Sequence, residues 1–452
     1  MQIKMQHNNT EVQKSTTEIK RLMDEVLDLA KRVGATDASV GINNDRGFSV
    51  DVRMGQVETV AFSEDKGVGL TIYIGKRKGS ASSTDTTPAA LKLLVQAAFD
   101  IAKVSAEDPC FGLADKECLT TAPADLQLYH PWDLNPEQAI ELALDCEGHA
   151  LSLDKRIMNS DGANASTYES HHGYANTAGV KDCVHSTRHS LSCSVIAKDG
   201  EEMKRDYEYS TVRNAKDLIS PQFIASSAVE RALSRLGSRK IKTQNLPVLL
   251  SSRVSSGLFG SFLSAISGSN LYRKNSFLMD SIGKQIFPEC IRIYEQPHLL
   301  GALGSAAFDG EGVPTRANVF VEEGRVVQYA LGSYSARKLG LKTTANSDGV
   351  HNLTVDATTG DLSALLKLLN TGLLVTELMG QGVNGLTGDY SRGASGYWVE
   401  NGIIQYPVDE VTIAGNLKDM FQSIIAVGND INSNIATRCG SVLIEKMMVA
   451  GT

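Results

Sequence analysis

At three places in the first half of the chain a residue able to cap a helix stands directly before a proline: Thr87-Pro88, Asn135-Pro136 and Ser220-Pro221. Proline has no N–H to lose at the first helical position, and its φ is already helical. The preceding hydroxyl or amide oxygen accepts one of the orphan backbone N–H groups. Each pair therefore marks a helix start. After Pro88, Leu91, Leu94, Val95, Ala98, Ile101 and Ala102 form an apolar stripe, and Asp108-Pro109 ends it. The second helix runs to about Leu151 and the third to near Gly237. An earlier helix opens at Ser15 and Glu18, which have capping-box spacing. It continues through Ile19, Leu22, Met23, Val26, Ala30 and Val33 and closes at Gly34.

Between these helices the periodicity changes to two. From Asp37 to Ser83, runs such as Val68, Leu70, Ile72 and Ile74 alternate. Turn signals lie at Asn44-Asp45, Arg53–Gly55, Asp65–Gly67 and Gly75–Gly79, which predicts an antiparallel meander of about five strands. Ile157 to Val212 reads the same way, with a turn at Lys198–Gly200. Helix, meander, helix thus occurs twice, either as a remote duplication or as two instances of a common α+β solution. A Gly-rich third region begins at Leu246–Leu250. It predicts strands at Ala317–Glu322, Arg325–Leu331, Gly396–Glu400 and Gly402–Tyr406, hairpin turns at Glu322–Gly324 and Glu400–Gly402, and a short helix from Asn416 to Val427. The expected architecture is α+β: helix–antiparallel meander–helix modules over residues 1–122 and 123–242, then a β-rich domain over 243–452. The boundaries fall near Ala122-Pro123 and Lys242–Asn245.

Composition narrows the function classes. A chain of 452 residues, 42% apolar and 21% charged, can bury a sizeable core. A net charge of −8 without a run of five basic residues counts against duplex DNA as a partner. The segment Met1–Lys14 is polar and lacks a signal-peptide core. The most apolar long stretch, Leu362–Val375, contains Lys367 and Asn370 and is too short to span a bilayer. Seven cysteines without CxxC spacing fit a reduced, cytoplasmic protein without membrane association.

Local motifs for catalysis are weak. There is no HExxH. Cys183, His185, His189 and Cys193 would share one strand face, but a strand spreads the outer two over roughly 33 Å, too far for one tetrahedral zinc. His171-His172 reads as a turn or exposed edge. Gly380, Gly382 and Gly385 match the dinucleotide fingerprint by letters alone, since no helix can follow. Gly393–Gly396 is one residue short of a nucleophile elbow, and Cys439 reads as a buried thiol. What remains is β-rich modules with edges, surfaces that suit an extended peptide by strand addition.

Longer motifs carry a resemblance. Phe308–Arg316 (FDGEGVPTR), Glu322–Gly324, Tyr334–Gly340 (YSARKLG), Thr387–Ser391 (TGDYS), Ser395–Trp398 (SGYW), Glu400–Gly402 and Ala414–Asn416 resemble the ordered motifs of the PmbA/TldE family, and Lys66–Gly75 (KGVGLTIYIG) resembles its N-terminal domain. In the TldD branch of that family a helix carries HExxxH and a later cysteine completes a zinc site. The equivalent stretch here is Gly257–Gly268 (GLFGSFLSAISG), anchored by Arg273 and Lys274. It puts Gly260, Ser261 and Ala265 at the His, Glu and His positions, with Cys439 as a remnant of the cysteine ligand. The resemblance therefore implies a chain with no catalytic residues and no metal or other cofactor of its own. Zinc would belong to a TldD-type partner in a heterodimer, with a homodimer when isolated. The substrates would be unfolded peptides, of the peptide-antibiotic precursor and antitoxin type. The polar and aromatic residues Asp389, Tyr390 and Ser391 either line the peptide path or are structural, with Asp389 capping a turn and Tyr390 packing inward. The family description "modulator of DNA gyrase" then denotes an indirect effect. Two other readings are a stand-alone peptide- or protein-binding homodimer, and a hydrolase built on Asp309, Glu311 or Asp389.

Overall fold

The computed structural model describes residues 2–119 and 125–451; the expected boundary at Ala122-Pro123 lies outside them. The first module comprises α1 (Gln2–Arg32), β1 (Asp37–Arg53), β2 (Gln56–Ile74), β3 (Arg77–Ser83) and α2 (Pro88–Val104). The second comprises α3 (Pro136–Leu153), β4 (Ile157–Asn176), β5 (Lys181–Asp199), β6 (Glu202–Val212) and α4 (Pro221–Ser234). The three caps act as the sequence predicts: Thr87, Asn135 and Ser220 each accept from the N–H three residues on.

The two meanders form one antiparallel sheet of order β3-β2-β1-β4-β5-β6, joined where β1 pairs with β4. Strand β1 spans both modules. Its residues Ala38, Val40 and Ile42 are buried under α1 and α2, and Phe48, Val50 and Val52 under α3 and α4.

This corrects the expectation of five strands. Asn44 pairs with Lys66 and Asp45 with Asp65 inside an unbroken ladder, so neither polar pair is a turn. They lie between the two buried halves of β1, where a polar residue needs no bend to stay solvated. The other two expected turns are present: Gly75-Lys76 between β2 and β3, and Met54-Gly55, both at positive φ (50° and 74°), whose two N–H groups donate to the Glu147 carboxylate on α3 at 2.9 Å each. Helix α1 likewise begins well before Ser15. Instead of opening it, Thr16 and Thr17 donate back to the carbonyls of Val12 and Gln13, the mid-helix use of such side chains.

The third region holds β7 (Gln244–Leu250), α5 (Ser256–Ile266), α6 (Gly268–Tyr272), β8 (Ile293–Glu295), β9 (Val319–Glu322), β10 (Arg325–Val326), α7 (Ser333–Leu339) and β11 (Leu353–Val355). It continues with α8 (Leu362–Leu369), β12 (Gly372–Met379), β13 (Asp389–Glu400), β14 (Ile403–Asn416), α9 (Leu417–Gln422), β15 (Ile424–Val427) and β16 (Val442–Ala450). Strands β14-β13-β12-β7-β16 run side by side, and β14 pairs again with β16, closing a small barrel; β7 and β12 are its parallel pair. Closure removes the edges that an open sheet would expose. Helices α5 and α9 bring Phe259, Phe262 and Phe421 into the main core of this region, together with Phe277 and Phe287.

Both predicted hairpin turns are present, with Glu323-Gly324 and Asn401-Gly402 at positive φ. The strand expected over Arg325–Leu331 pairs in a ladder at Arg325 and Val326 and again as a single parallel bridge from Ala330 to Ser267, and the helix expected over Asn416–Val427 is α9 followed by β15.

Candidate functional site: helix α5 and the cavity at its start

Helix α5 buries Leu258, Phe259, Phe262, Ala265 and Ile266, which leaves Gly257, Gly260 and Ser264 exposed on the opposite face. At the helix start Ser255 is fully buried; its Oγ donates to the Gly440 carbonyl at 2.8 Å and lies 3.3 Å from Cys439 Sγ. With the serine proton given to Gly440, the thiol donates to Ser255. Burial pushes the Cys439 thiol up to about 11, as for an unreactive buried cysteine.

The three positions on α5 offer no ligand set. Gly260 faces open space, the Ser261 hydroxyl bonds back to the Gly257 carbonyl at 3.0 Å, and Ala265 is 3% exposed in the core. These residues do not fit a zinc ion, which takes imidazole, thiolate or carboxylate donors. Among the described residues no group of three or more His, Cys, Asp or Glu is placed to hold a metal. Gly260 also yields a stability test. A Cβ there meets nothing within 4 Å, so Gly260→Ala should stabilise the chain by about 0.5–1 kcal/mol in denaturant unfolding, through helix propensity alone.

A cavity of about 560 Å³ opens at the start of α5, between β6 and α4 on one side and α5, β12, β13 and β14 on the other. Five basic and three acidic side chains line it. Asp206 accepts from Arg253 at 3.0 Å and Arg235 at 3.4 Å, Arg235 also pairs with Glu377 at 2.6 Å, and Lys204 pairs with Asp409 at 2.7 Å. The arginines also close the β6 edge. Arg235 donates to the Arg205 carbonyl, Arg253 and Arg231 to that of Tyr207, and Asn434 to that of Tyr209. That edge is therefore not open to strand addition. No spacing in the sequence signals this cluster, because its members come from separate elements. A second cavity of about 480 Å³ lies at the other end of α5, bounded by Ser264, Ser267, Tyr272, Glu311, Tyr334 and Asp348, among others.

Other residues singled out from the sequence have local structural partners. Asp389 is exposed and held below the usual carboxylate range by hydrogen bonds from Thr387 (2.6 Å) and Asn416 (3.2 Å). Strand alternation turns the Tyr390 ring into the core and leaves Ser391 exposed, so the three do not share a surface. The buried Asp309 carboxylate accepts the N–H groups of Glu311, Val313 and Ser347, while Glu311 accepts that of Ser333. Burial, followed by the nearby Glu311 charge, raises the pKa of Asp309.

Cys183, His185, His189 and Cys193 do lie along one strand, β5. His171, expected at a turn or edge, is instead buried in β4 directly opposite His185, with their Nδ1 atoms 2.5 Å apart. Such a contact needs one proton between two nitrogens, and burial, with the neighbouring His171, lowers His185 to about 4. The fingerprint glycines form a loop: Gly380 has positive φ, and a Cβ on Gly382 would collide with the Ser391 carbonyl.

Comparison with known proteins accords with this architecture. Family models described as the PmbA/TldA metallopeptidase domain 1, central domain and C-terminal domain match residues 38–102, 129–236 and 243–451. The chain is 48% identical to metalloprotease PmbA of Escherichia coli O157:H7, over 96% of this chain and 97% of that one. It is 23% identical to a metalloprotease TldD homologue of Buchnera aphidicola, over 86% of this chain and 88% of the relative. A crystal structure of a putative modulator of DNA gyrase from Bacteroides thetaiotaomicron superposes with a TM-score of 0.90 at 29% identity, covering 96% of this chain and 99% of the other. The chain belongs to the PmbA/TldD metallopeptidase family.

Proposed function

We propose that this chain is the non-catalytic, metal-free subunit of a cytoplasmic two-chain peptidase, and that a TldD-type partner carries the zinc. The observation that supports this reading most is the chemistry of three positions on α5: an open glycine, a serine bonded to its own helix and a core alanine where the resemblance expects metal ligands and a general base. The names of the relatives supply the metalloprotease context, and a TldD homologue of similar length supplies the kind of partner. The first half of β2 offers a docking surface. Residues 56–66 are all exposed, no strand pairs with their outer edge among the described residues, and Phe62 is 73% exposed beside Val57 and Val60. In this reading the assembly encloses unfolded peptides, such as peptide-antibiotic precursors and antitoxins, and cleaves them at the partner's metal.

The test is metal content and hydrolysis of an unfolded peptide by this chain alone and together with a TldD-type subunit. Chelator-sensitive hydrolysis only in the mixture, with about one zinc carried by the partner, is expected. Zinc and hydrolysis in the isolated chain would refute the proposal. The same exposed β2 edge favours a second reading, a stand-alone peptide-binding homodimer. Its signature is a stable dimer that binds unfolded peptide and captures no HExxxH-bearing partner.

A further inference from the structure

Among the described residues, one cation of the cavity at the start of α5 has no counter-charge. Lys204, Arg235 and Arg253 are paired with Asp409, Glu377 and Asp206, and Arg205 turns to Asp161. Arg392, on β13, lines the same cavity; its guanidinium also hydrogen-bonds the Tyr390 side chain, yet among the described residues no carboxylate lies within ion-pair distance of it, and its buried Nε meets no acceptor. A buried guanidinium N–H without an acceptor is costly, and a carboxylate is the group its planar fork matches best. The rim adds a second feature. Met203 and Met379 are 63% and 43% exposed at the cavity, and such side chains adapt to varied apolar groups. The volume, about 560 Å³, is that of a small-ligand site.

We propose that this cavity is a binding site for a peptide carboxylate, received by Arg392 with the residue next to it resting on the methionines. The carboxylate is either the chain terminus or an acidic side chain. This assignment concerns binding by this chain alone and holds whichever subunit carries out cleavage.

The full chain is titrated calorimetrically with acetyl-trialanine as free acid, with its C-terminal amide, and with acetyl-Ala-Ala-Glu amide. The free acid should bind and the plain amide should not. Binding of the glutamate peptide amide but not of the free acid would also support the site and would assign the side chain as the source. Arg392→Gln should weaken binding by roughly tenfold or more, and Arg392→Lys by less, because the charge remains while the fork is lost. Gly257→Leu tests the same cavity from α5 without changing Arg392: a Cβ at Gly257 sits 4.0 Å from Arg392 Nη1, so the added side chain fills the space the carboxylate would take, and binding should again weaken by roughly tenfold or more. Equal binding of acid and plain amide, no binding of either acid at millimolar concentration, or unchanged affinity in both Arg392→Gln and Gly257→Leu would overturn the proposal.

Discussion

Replacing Phe421 with alanine should lower the stability of the third region by about 3–5 kcal/mol, the usual cost of truncating a buried Phe that its neighbours cannot refill. Phe421 is fully buried on α9. Its ring centroid lies 4.8 Å from that of Phe287, 6.0 Å from Phe262 and 6.2 Å from Phe277, and Phe259 stacks on Phe287 at 6.5 Å. These rings come from α5, α9 and the segment between α6 and β8, so no single element can move in to fill the void. The protein supplies its own reporters. It has two tryptophans, Trp132 ahead of α3 and Trp398 on β13 of the barrel. Denaturant unfolding followed at Trp398 in a Trp132→Phe background should show the full shift in midpoint. Followed at Trp132 in a Trp398→Phe background, it should show the same shift as long as the two regions unfold together. A loss below about 1 kcal/mol at Trp398 would mean that the aromatic cluster is not the keystone of the barrel.

Features legible in the sequence were those set by neighbouring residues. The Asn135 cap is satisfied in full, with its side chain accepting from Gln138 N–H at 2.8 Å and the Gln138 side chain returning the bond. Asn401-Gly402 takes the two positive φ values that a tight hairpin demands. Polar pairs look like turns where two long strands merely pass each other, as at Asn44 and Lys66, because local sequence does not record which residues a helix will cover. Barrel closure was hidden for a related reason: the pairing of Thr412 with Ala450 joins segments that share no short-range signal. The site divides in the same way. Gly260, Ser261 and Ala265 are picked out by the family motifs alone, whereas the arginine cavity brings together side chains from β6, α5, β12, β13, β14, the end of α4 and the turn before α5. His171 and His185 were both visible as residues, but their contact follows only from the register of β4 on β5.

The ion pairs of that cavity carry the second large effect, because they tie the second module to the third. Asp206 on β6 bridges Arg235 of its own module and Arg253 of the next. Asp206→Ala should cost about 2–4 kcal/mol, somewhat below the loss for a fully buried pair because the Arg253 side chain keeps 24% exposure. The two arginines should not suffer equally. Arg235 retains Glu377, whereas Arg253 keeps only its bond to the Tyr207 carbonyl and its place over the Tyr207 ring, 4.9 Å from the centroid. A double-mutant cycle with Arg253→Met separates the consequences. If the stranded guanidinium causes most of the loss, the double variant should be more stable than Asp206→Ala alone, with a coupling of about 1–3 kcal/mol. Additive losses would mean instead that Asp206 acts mainly through Arg235 and the Tyr207 N–H, to which it is bonded at 2.8 Å. The two tryptophans should also report the link between the modules: transitions that coincide in the parent chain should separate once Asp206 is gone, with Trp132 and Trp398 unfolding at different denaturant concentrations.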